Sequence, residues 1–279
     1  MLIAAASALG LLIGLVIGGL GGGGGVLTVP ALVYLLGQDA HDATTGSVLI
    51  VGLSAVVGMT VRMRNPGLDW RTGLAFGAVG VPTAYAGTLL NHRVSPSVLM
   101  LVFAAVILVA AAAMLLNGQE EPDAEPERPL GDQPSTGAVA VATRTDARRA
   151  ARIRTAIKIL VCGAASGFLT GLLGVGGGFL VVPALVVVLR MPMTLAIGTS
   201  LLIIVLNAGS SVVARLGDLH LDWAVVAPFT VAAIAGTLLG KRVADSVSNA
   251  TLSRAFAVML VLVGGFVAVQ SVGALLGAG

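Results

Sequence analysis

Charge is the scarcest property of this sequence: Asp, Glu, Lys and Arg together make up 10% of its 279 residues. A soluble domain carries about 25% charged residues, so a chain this poor in charge cannot cover a water-facing surface. Hydrophobic residues reach 57%, and they lie in long blocks. Several blocks reach the roughly 20 residues that a helix needs to cross a bilayer. The sequence therefore predicts an all-α, polytopic membrane protein.

Cysteine and histidine are also scarce. The single cysteine, Cys162, excludes an internal disulfide and any multi-cysteine metal site. His41, His92 and His220 stand singly near the ends of apolar blocks, a pattern that does not indicate metal ligation. We therefore expect no metal and no cofactor.

Basic residues are missing from the first part of the chain, where no lysine or arginine precedes Arg62. A secretory signal peptide needs a basic region ahead of its apolar core, so residues 2–20 are predicted to be a retained helix. The basic residues that do occur cluster at block ends and in one loop. That distribution is typical of membrane orientation signals and does not indicate a nucleic-acid partner.

Catalytic constellations are missing too. The apolar blocks contain no Ser–His–Asp set, no His-Glu-x-x-His run and no carboxylate pair. Neither glycine-rich stretch is followed by the Lys-Ser/Thr of a P-loop. The block centres hold no Asp or Glu, which argues against a carboxylate proton relay. These absences indicate that the protein is not an enzyme.

The chain does contain an internal repeat. Residues 18–70 align without a gap on residues 171–223, and the alignment places Arg62 on Arg215. Matches that include proline, arginine, aspartate and tryptophan do not arise easily from apolar low complexity. The sequence therefore predicts two related transmembrane halves.

The segment between the halves differs from both in composition. Residues 117–155 begin acidic and proline-rich and end arginine-rich, and such a composition cannot bury a core. We predict a first transmembrane repeat at 1–116, a disordered cytoplasmic connector at 117–155 and a second repeat at 156–279. The arginine-rich end is interpreted as an orientation signal, with a helix lying on anionic lipid as the alternative.

Each half offers five apolar segments, and the second of each is short. The segments are 2–20, 26–37, 44–61, 72–90 and 97–116, then 157–173, 179–189, 196–214, 224–240 and 252–273. If all of them cross, the halves are inverted, and all but Arg93 and Arg215 of the 16 basic residues fall on one side. If the short segments are re-entrant, the halves run parallel and the charges are spread more evenly. The positive-inside rule favours the inverted arrangement, with both termini outside.

Two glycine clusters break the helices at matching places in the halves. Gly21, Gly22, Gly23, Gly24 and Gly25 form the first, and Gly174, Gly176, Gly177 and Gly178 belong to the second. At membrane depth, exposed backbone is tolerated only when it is buried in protein or lines a wet cavity. Broken helices in two inverted halves point to a transporter's binding site, whose helix N-termini suit anions. The alternative is close helix packing, to which we assign Gly10, Gly14 and Gly18.

Polar side chains inside the apolar blocks are further candidates for substrate binding. Ser47 and Ser200 are equivalent in the repeat, as are Ser54 and Asn207, and Thr199 flanks Ser200. Hydroxyls and amides could bind an oxyanion without adding a buried charge. The alternative is that they bond to their own helix or to a neighbour.

Two equivalent arginines, Arg62 and Arg215, end the third segments, and Asp69 and Asp222 precede the fourth. An arginine within the membrane would indicate function. Because these lie at predicted boundaries, we interpret them as orientation signals or as partners of the nearby aspartates.

The doubled motif resembles a known family. Gly21 to Gly25 followed by Pro30-Ala31-Leu32, and Gly174 to Gly178 followed by Pro183-Ala184-Leu185, resemble the sulfite exporter TauE/SafE family. The resemblance covers both halves but not the connector. It implies a multi-pass protein of the bacterial inner membrane that exports small sulfur-containing anions.

Together these observations favour a secondary transporter of a small anion with alternating access between inverted halves. A channel-like anion pore, or a membrane scaffold or sensor that docks through the connector, are the alternatives. The expected partners are the anionic substrate and the lipid bilayer, with no nucleic acid; a homo-oligomer is left open.

Overall fold

The computed structural model describes residues 2–63, 68–91, 93–117, 139–173, 178–216 and 221–277, and within them the regular structure is entirely helical. In these ranges ten α-helices follow one another along the chain. They are α1 (Leu2–Leu20), α2 (Gly24–Pro30), α3 (Ala40–Arg62), α4 (Trp70–Asn91), α5 (Pro96–Asn117), α6 (Val139–Leu173), α7 (Gly178–Pro183), α8 (Met193–Ala214), α9 (Trp223–Ala244) and α10 (Asn249–Gly277).

Eight candidate membrane spans occur in the described part of the chain, which confirms the predicted polytopic helical membrane protein. They contain α1, α3, α4, α5, α6, α8, α9 and α10. The two short helices, α2 and α7, each end on a proline and continue into one π-helical turn, Ala31–Leu35 or Ala184–Val188. With its turn, each short segment is only roughly 17–18 Å long, about half the hydrocarbon thickness.

The chain doubles back between α1 and α2. Gly21 opens a 3-10 turn with a φ of 72°, in the left-handed region that favours glycine. A Cβ built on Gly24 would lie 2.7 Å from the carbonyl oxygen of Ile13 in α1. In a continuous helix these two residues would be roughly 16 Å apart along the axis. The predicted helix break is therefore real, and α2 runs back along α1.

Glycines spaced four residues apart bring helices of the two halves into backbone contact. A Cβ on Gly10, Gly14 or Gly18 of α1 would overlap the carbonyl oxygen of Phe229, Ala233 or Thr237 of α9, respectively. In the same way Gly163, Gly167 and Gly171 of α6 face Phe76, Gly80 and Ala84 of α4. The packing role assigned to the three α1 glycines is confirmed. The first helix of each half thus packs in parallel with the fourth helix of the other.

The repeat-equivalent helices α3 and α8 run in opposite directions. A Cβ on Gly52 would lie 3.1 Å from the Cβ of Ala208, and one on Gly58 would lie 3.2 Å from Leu201 Cδ1. Residue numbers therefore increase along α3 in the direction in which they decrease along α8. This course supports the inverted arrangement, although its orientation in the membrane stays a prediction.

The predicted boundaries of the repeats and the connector also stay predictions. Residues 118–138 lie outside the described residues, and α6 begins at Val139. The arginine-rich end of the predicted connector is therefore helical and continuous with the first membrane span of the second half.

We expect cysteine labelling to separate the two ends of the bundle. In a Cys162→Ser background, Arg93→Cys should react with an impermeant maleimide from outside the cell, whereas Asp245→Cys should react only after permeabilisation. Residue 93 follows α4, whose last residue, Asn91, lies 3.2 Å (Oδ1) from Nδ1 of His41 at the start of α3. Residue 245 follows α9, which ends beside the opposite end of α3. Labelling of both positions from outside would contradict the inverted topology.

Candidate functional site

The first helix break touches the start of α7, the helix that follows the second glycine cluster, inside the protein. Gly22, in the first cluster, touches Gly178, in the second, so closely that a Cβ on either glycine would overlap the Cα of the other. Only glycine permits such an approach, because any side chain would occupy the partner's backbone. The structure thus brings together two segments of chain that the sequence singled out separately. The predicted site residues Gly176 and Gly177 lie outside the described residues.

Two other glycines of the first cluster pack against helices of the second half. A Cβ on Gly21 would lie 2.7 Å from Ser200 Oγ in α8, and one on Gly23 would lie 2.8 Å from a ring carbon of Phe256 in α10. Gly25 is buried within α2. The alternative interpretation, close helix packing, describes these contacts, while a role in substrate binding stays a prediction.

Two of the predicted polar ligands have partners within the protein. Ser200 Oγ donates to the carbonyl oxygen of Ile197 at 2.8 Å, and Thr199 Oγ1 accepts the Asp69 N–H at 3.1 Å. For these two residues the alternative interpretation, a bond to the same helix or to a neighbour, describes the observed contacts.

A second group of buried polar side chains has no partner in the described part of the chain. Ser47, Ser54, Asn207 and Ser211 are each fully buried, and their hydroxyl or amide atoms make no hydrogen bond there. Leaving such a group unsatisfied costs about 1–3 kcal/mol, so each needs an explanation. Ser211 could not be singled out from the sequence, because its repeat equivalent is Gly58 and the two do not form a matched polar pair.

Asn207 and Ser54 lie at the same depth in the bundle. Because Gly52 faces Ala208 and Gly58 faces Leu201, Ser54 is within about two residues of Asn207 along the helix axis. The Asn207 amide also lies against α4, since a Cβ on Gly80 would be 2.5 Å from its Oδ1.

The predicted boundary arginines are buried, which corrects the sequence interpretation. Arg62 is 7% exposed and its Nη2 donates to the carbonyl oxygen of Gly18 at 2.7 Å. Arg215 is 2% exposed and its Nη2 donates to the equivalent carbonyl oxygen of Gly171 at 3.1 Å. Each guanidinium thus lies near the C-terminal end of the helix that precedes a break, where the helix dipole favours a cation.

The aspartates that were expected to pair with these arginines cap helices instead. Asp69 accepts the backbone N–H groups of Arg71 and Thr72 and the Thr72 hydroxyl at the start of α4, and Asp222 accepts the Ala224 N–H at the start of α9. Burial raises the pKa of Asp69, but the hydrogen bonds from Thr72 and Arg71 lower it by more than burial raises it. The pKa of Asp69 therefore lies below its ordinary value. The predicted pairing of Arg62 and Arg215 with these two aspartates is therefore wrong.

Two cavities in the described part of the chain lie away from the glycine junction. One, of ≈ 480 Å³, is a surface groove between α4 and α8, lined by Val81, Pro82, Tyr85, Gly209, Ser210 and Val213. The other, of ≈ 250 Å³, lies where α2 ends and α9 begins, near Asp39, Asp42 and Asp222. Neither is lined by a glycine of the clusters or by the buried Ser54 and Asn207. In this conformation neither of the two cavities opens onto the contact of Gly22 with Gly178.

Known proteins similar to this chain are membrane transporters by name. A "Probable membrane transporter protein" from Xylella fastidiosa is 31% identical over 256 residues, which cover 90% of this chain and 89% of that protein. The "Probable membrane transporter protein YunE" from Bacillus subtilis is 25% identical over 270 residues, covering 92% and 93%. No solved structure matches the chain.

The family comparison covers nearly the whole fold. Residues 6–267 match the model of the family described as "Sulfite exporter TauE/SafE", and that range includes both helix breaks and all eight candidate spans except the ends of the first and last. With its eight candidate spans and its transporter relatives, this multi-pass membrane transporter belongs to the sulfite exporter TauE/SafE family.

Proposed function

We propose that this protein is a secondary transporter that exports small sulfur-containing anions, such as sulfite or organosulfonates, across the bacterial inner membrane. The observation that carries the proposal is the contact of Gly22 with Gly178, beside the antiparallel pair α3 and α8 that holds Ser54 and Asn207. Broken helices that meet in the centre of two related halves are typical of transporter binding sites.

The chemistry of this region suits an anion. Its unused groups are serine hydroxyls and an amide, which can donate hydrogen bonds to an oxyanion. The backbone N–H groups at the breaks add further donors. We therefore propose as the substrate site Gly22, Gly23, Gly24, Gly25, Gly176, Gly177 and Gly178 together with Ser47, Ser54 and Asn207. Ser200 and Thr199 contribute through their hydrogen bonds to the backbone of Ile197 and Asp69.

The close contact of Gly22 with Gly178 favours alternating access, in which helices separate to admit the substrate, over an open pore. Neither of the two cavities reaches the glycine contact, and the contact itself leaves no room for a side chain on either glycine. The left-handed Gly21 and the π-helical turns after Pro30 and Pro183 are the backbone irregularities at which such movement would be easiest.

Flux into proteoliposomes tests this function. We expect saturable uptake of at least one of sulfite, thiosulfate or a sulfonate that is driven uphill by an imposed ion or pH gradient, whereas phosphate at the same concentration is not accumulated. Liposomes without protein provide the baseline. Uptake that only dissipates the anion's own gradient would instead indicate a channel-like pore, and no uptake of any of these anions would contradict the proposal.

A further inference from the structure

The two buried arginines carry charge that their described surroundings do not neutralise. Arg215 donates only to uncharged oxygens, the hydroxyls of Thr44 and Thr45 and the carbonyl of Gly171. Arg62 donates to the carbonyl oxygen of Gly18. A buried charge without an opposite partner is costly, and an ionisable residue inside a helical membrane bundle marks a functional site.

Among the described residues, the one carboxylate that acts on either arginine across space is already engaged. Asp245 lies close enough to Arg62 to influence it electrostatically, but its Oδ2 binds Lys241 Nζ at 2.6 Å. Within the described ranges, neither arginine forms an ion pair.

Each guanidinium also has an unused donor. The Nε atoms of Arg62 and Arg215 are buried and have no hydrogen-bond partner among the residues that the structure describes. The N–H groups of a guanidinium form a planar fork that matches two oxygens of an oxyanion. A small oxyanion would therefore supply both the missing charge and the missing acceptors.

The position of the arginines relates them to the transport path. Arg62 ends α3 and Arg215 directly follows α8. Because the two helices run antiparallel, the arginines lie toward opposite ends of the bundle, with the level of Ser54 and Asn207 between them. Each binds the last turns of a helix that precedes a break, through Gly18 or Gly171.

The two positions also differ in the hydroxyl groups beside them. Thr44 and Thr45 place two hydroxyls on Arg215 at 3.2 and 2.6 Å. Their repeat equivalents, Ile197 and Gly198, have no hydroxyl to offer Arg62. The threonines join α3 of one half to the end of α8 of the other, so this end of the bundle is cross-linked while the Arg62 end lacks the matching bond.

We propose that Arg62 and Arg215 are two oxyanion-binding positions, one toward each side of the membrane. In this conformation the Thr44 and Thr45 hydroxyls occupy Arg215 Nη1 in place of anion oxygens. The inference rests on the proposed function, because it names the charges that hold the same anion as it enters and leaves. The ligand class is a small sulfur oxyanion such as sulfite or sulfate.

Thermal unfolding of the purified full-length protein tests the proposal without measuring transport. Sodium sulfite, sulfate and thiosulfate are titrated separately, with sodium chloride at equal ionic strength as the control. For the wild type we expect a rise in unfolding temperature of about 5 °C at a hundredfold excess over the dissociation constant. In Arg62→Gln and Arg215→Gln the affinity of the corresponding position should fall at least about tenfold. The exposed Arg254 supplies the matched control, Arg254→Gln, which should behave as the wild type.

A variant with both threonines changed distinguishes binding from a structural role. Thr44→Val combined with Thr45→Val removes the hydroxyls that compete for Arg215, so oxyanions should stabilise it more than they stabilise the wild type. If Arg215 is only a helix cap, the double variant should instead lose stability by the same amount with and without oxyanion. The double threonine variant keeps the charges of Arg62 and Arg215. If the glutamine variants do not fold, Arg62→Lys and Arg215→Lys replace them, and we again expect weakened oxyanion affinity.

The outcomes separate this inference from the transporter proposal. If no oxyanion stabilises the wild type beyond chloride, or if the arginine variants bind as tightly as the wild type, the inference is overturned even when flux is present. If oxyanions bind through the arginines but no flux occurs in proteoliposomes, the binding positions stand and the transport function falls.

Discussion

Gly22→Ala and Gly178→Ala are expected to reduce anion flux to the level of empty liposomes. The new methyl group of either variant would overlap the Cα of the other glycine, and backbone cannot move aside as the end of a side chain can. Overpacking of this kind costs about 1–3 kcal/mol, so the unfolding temperature should also fall. Flux in proteoliposomes, normalised to reconstituted protein, measures the first effect.

Two other glycines serve as matched controls. A Cβ added to Gly265 in α10 would meet no described atom within 4 Å, so Gly265→Ala should leave flux unchanged and should not lower stability. Gly14 packs on the carbonyl of Ala233 in α9 and does not touch Gly22 or Gly178, so Gly14→Ala should lower stability while the folded fraction still transports. Normal flux in Gly22→Ala, or equal flux loss per folded molecule in Gly14→Ala, would assign the cluster to packing alone.

Asn207→Leu is expected to abolish transport without destabilising the protein. Both polar atoms of the Asn207 amide are buried and have no partner among the described residues, and removing an unsatisfied polar group recovers part of its desolvation cost of about 1–3 kcal/mol. The free energy of unfolding should therefore stay constant or rise. Asn207 would then lower the stability of the folded protein and still be needed for transport, which is the usual conflict between stability and function.

Two serine-to-alanine variants, which remove the same hydroxyl group, provide a matched comparison. Ser54→Ala removes a hydroxyl that has no described partner and should reduce flux, whereas Ser166→Ala removes a buried hydroxyl that already donates to the Gly163 carbonyl oxygen and should not. Flux and thermal unfolding of the same preparations are the two measurements. If Asn207→Leu transports like the wild type, or loses flux only in proportion to lost folded protein, Asn207 is not a substrate ligand.

Local patterns in the sequence were sufficient to predict the helices and the places where they break. Runs of apolar residues in a chain with little charge can satisfy their backbone in a bilayer only as helices, and the described residues contain eight candidate spans. Gly21 could be predicted as a break because consecutive glycines weaken a helix, and its left-handed φ agrees. The packing role of Gly14 followed from the spacing of small residues.

Boundary residues were harder to interpret from sequence. Arg62 and Arg215 stand where apolar blocks end, so the sequence predicted exposed orientation signals, and the structure buries both. Their acceptors, Gly18 and Gly171, lie 44 residues earlier in the chain. A contact over such a separation leaves no local pattern, and only the packing of α3 on α1 and of α8 on α6 creates it.

What the sequence by itself determined is the class of the protein, the repeat and the set of polar residues inside the membrane blocks, because composition and spacing carry that information. Only the tertiary structure decided which of those residues are free to bind. Ser200 and Asn207 look alike as buried polar groups in one helix, but Ser200 bonds to Ile197 whereas Asn207 has no partner in the described part of the chain. The contact of Gly22 with Gly178 was likewise decided by the packing of two distant segments, since whether two groups meet depends on the path of the whole chain between them.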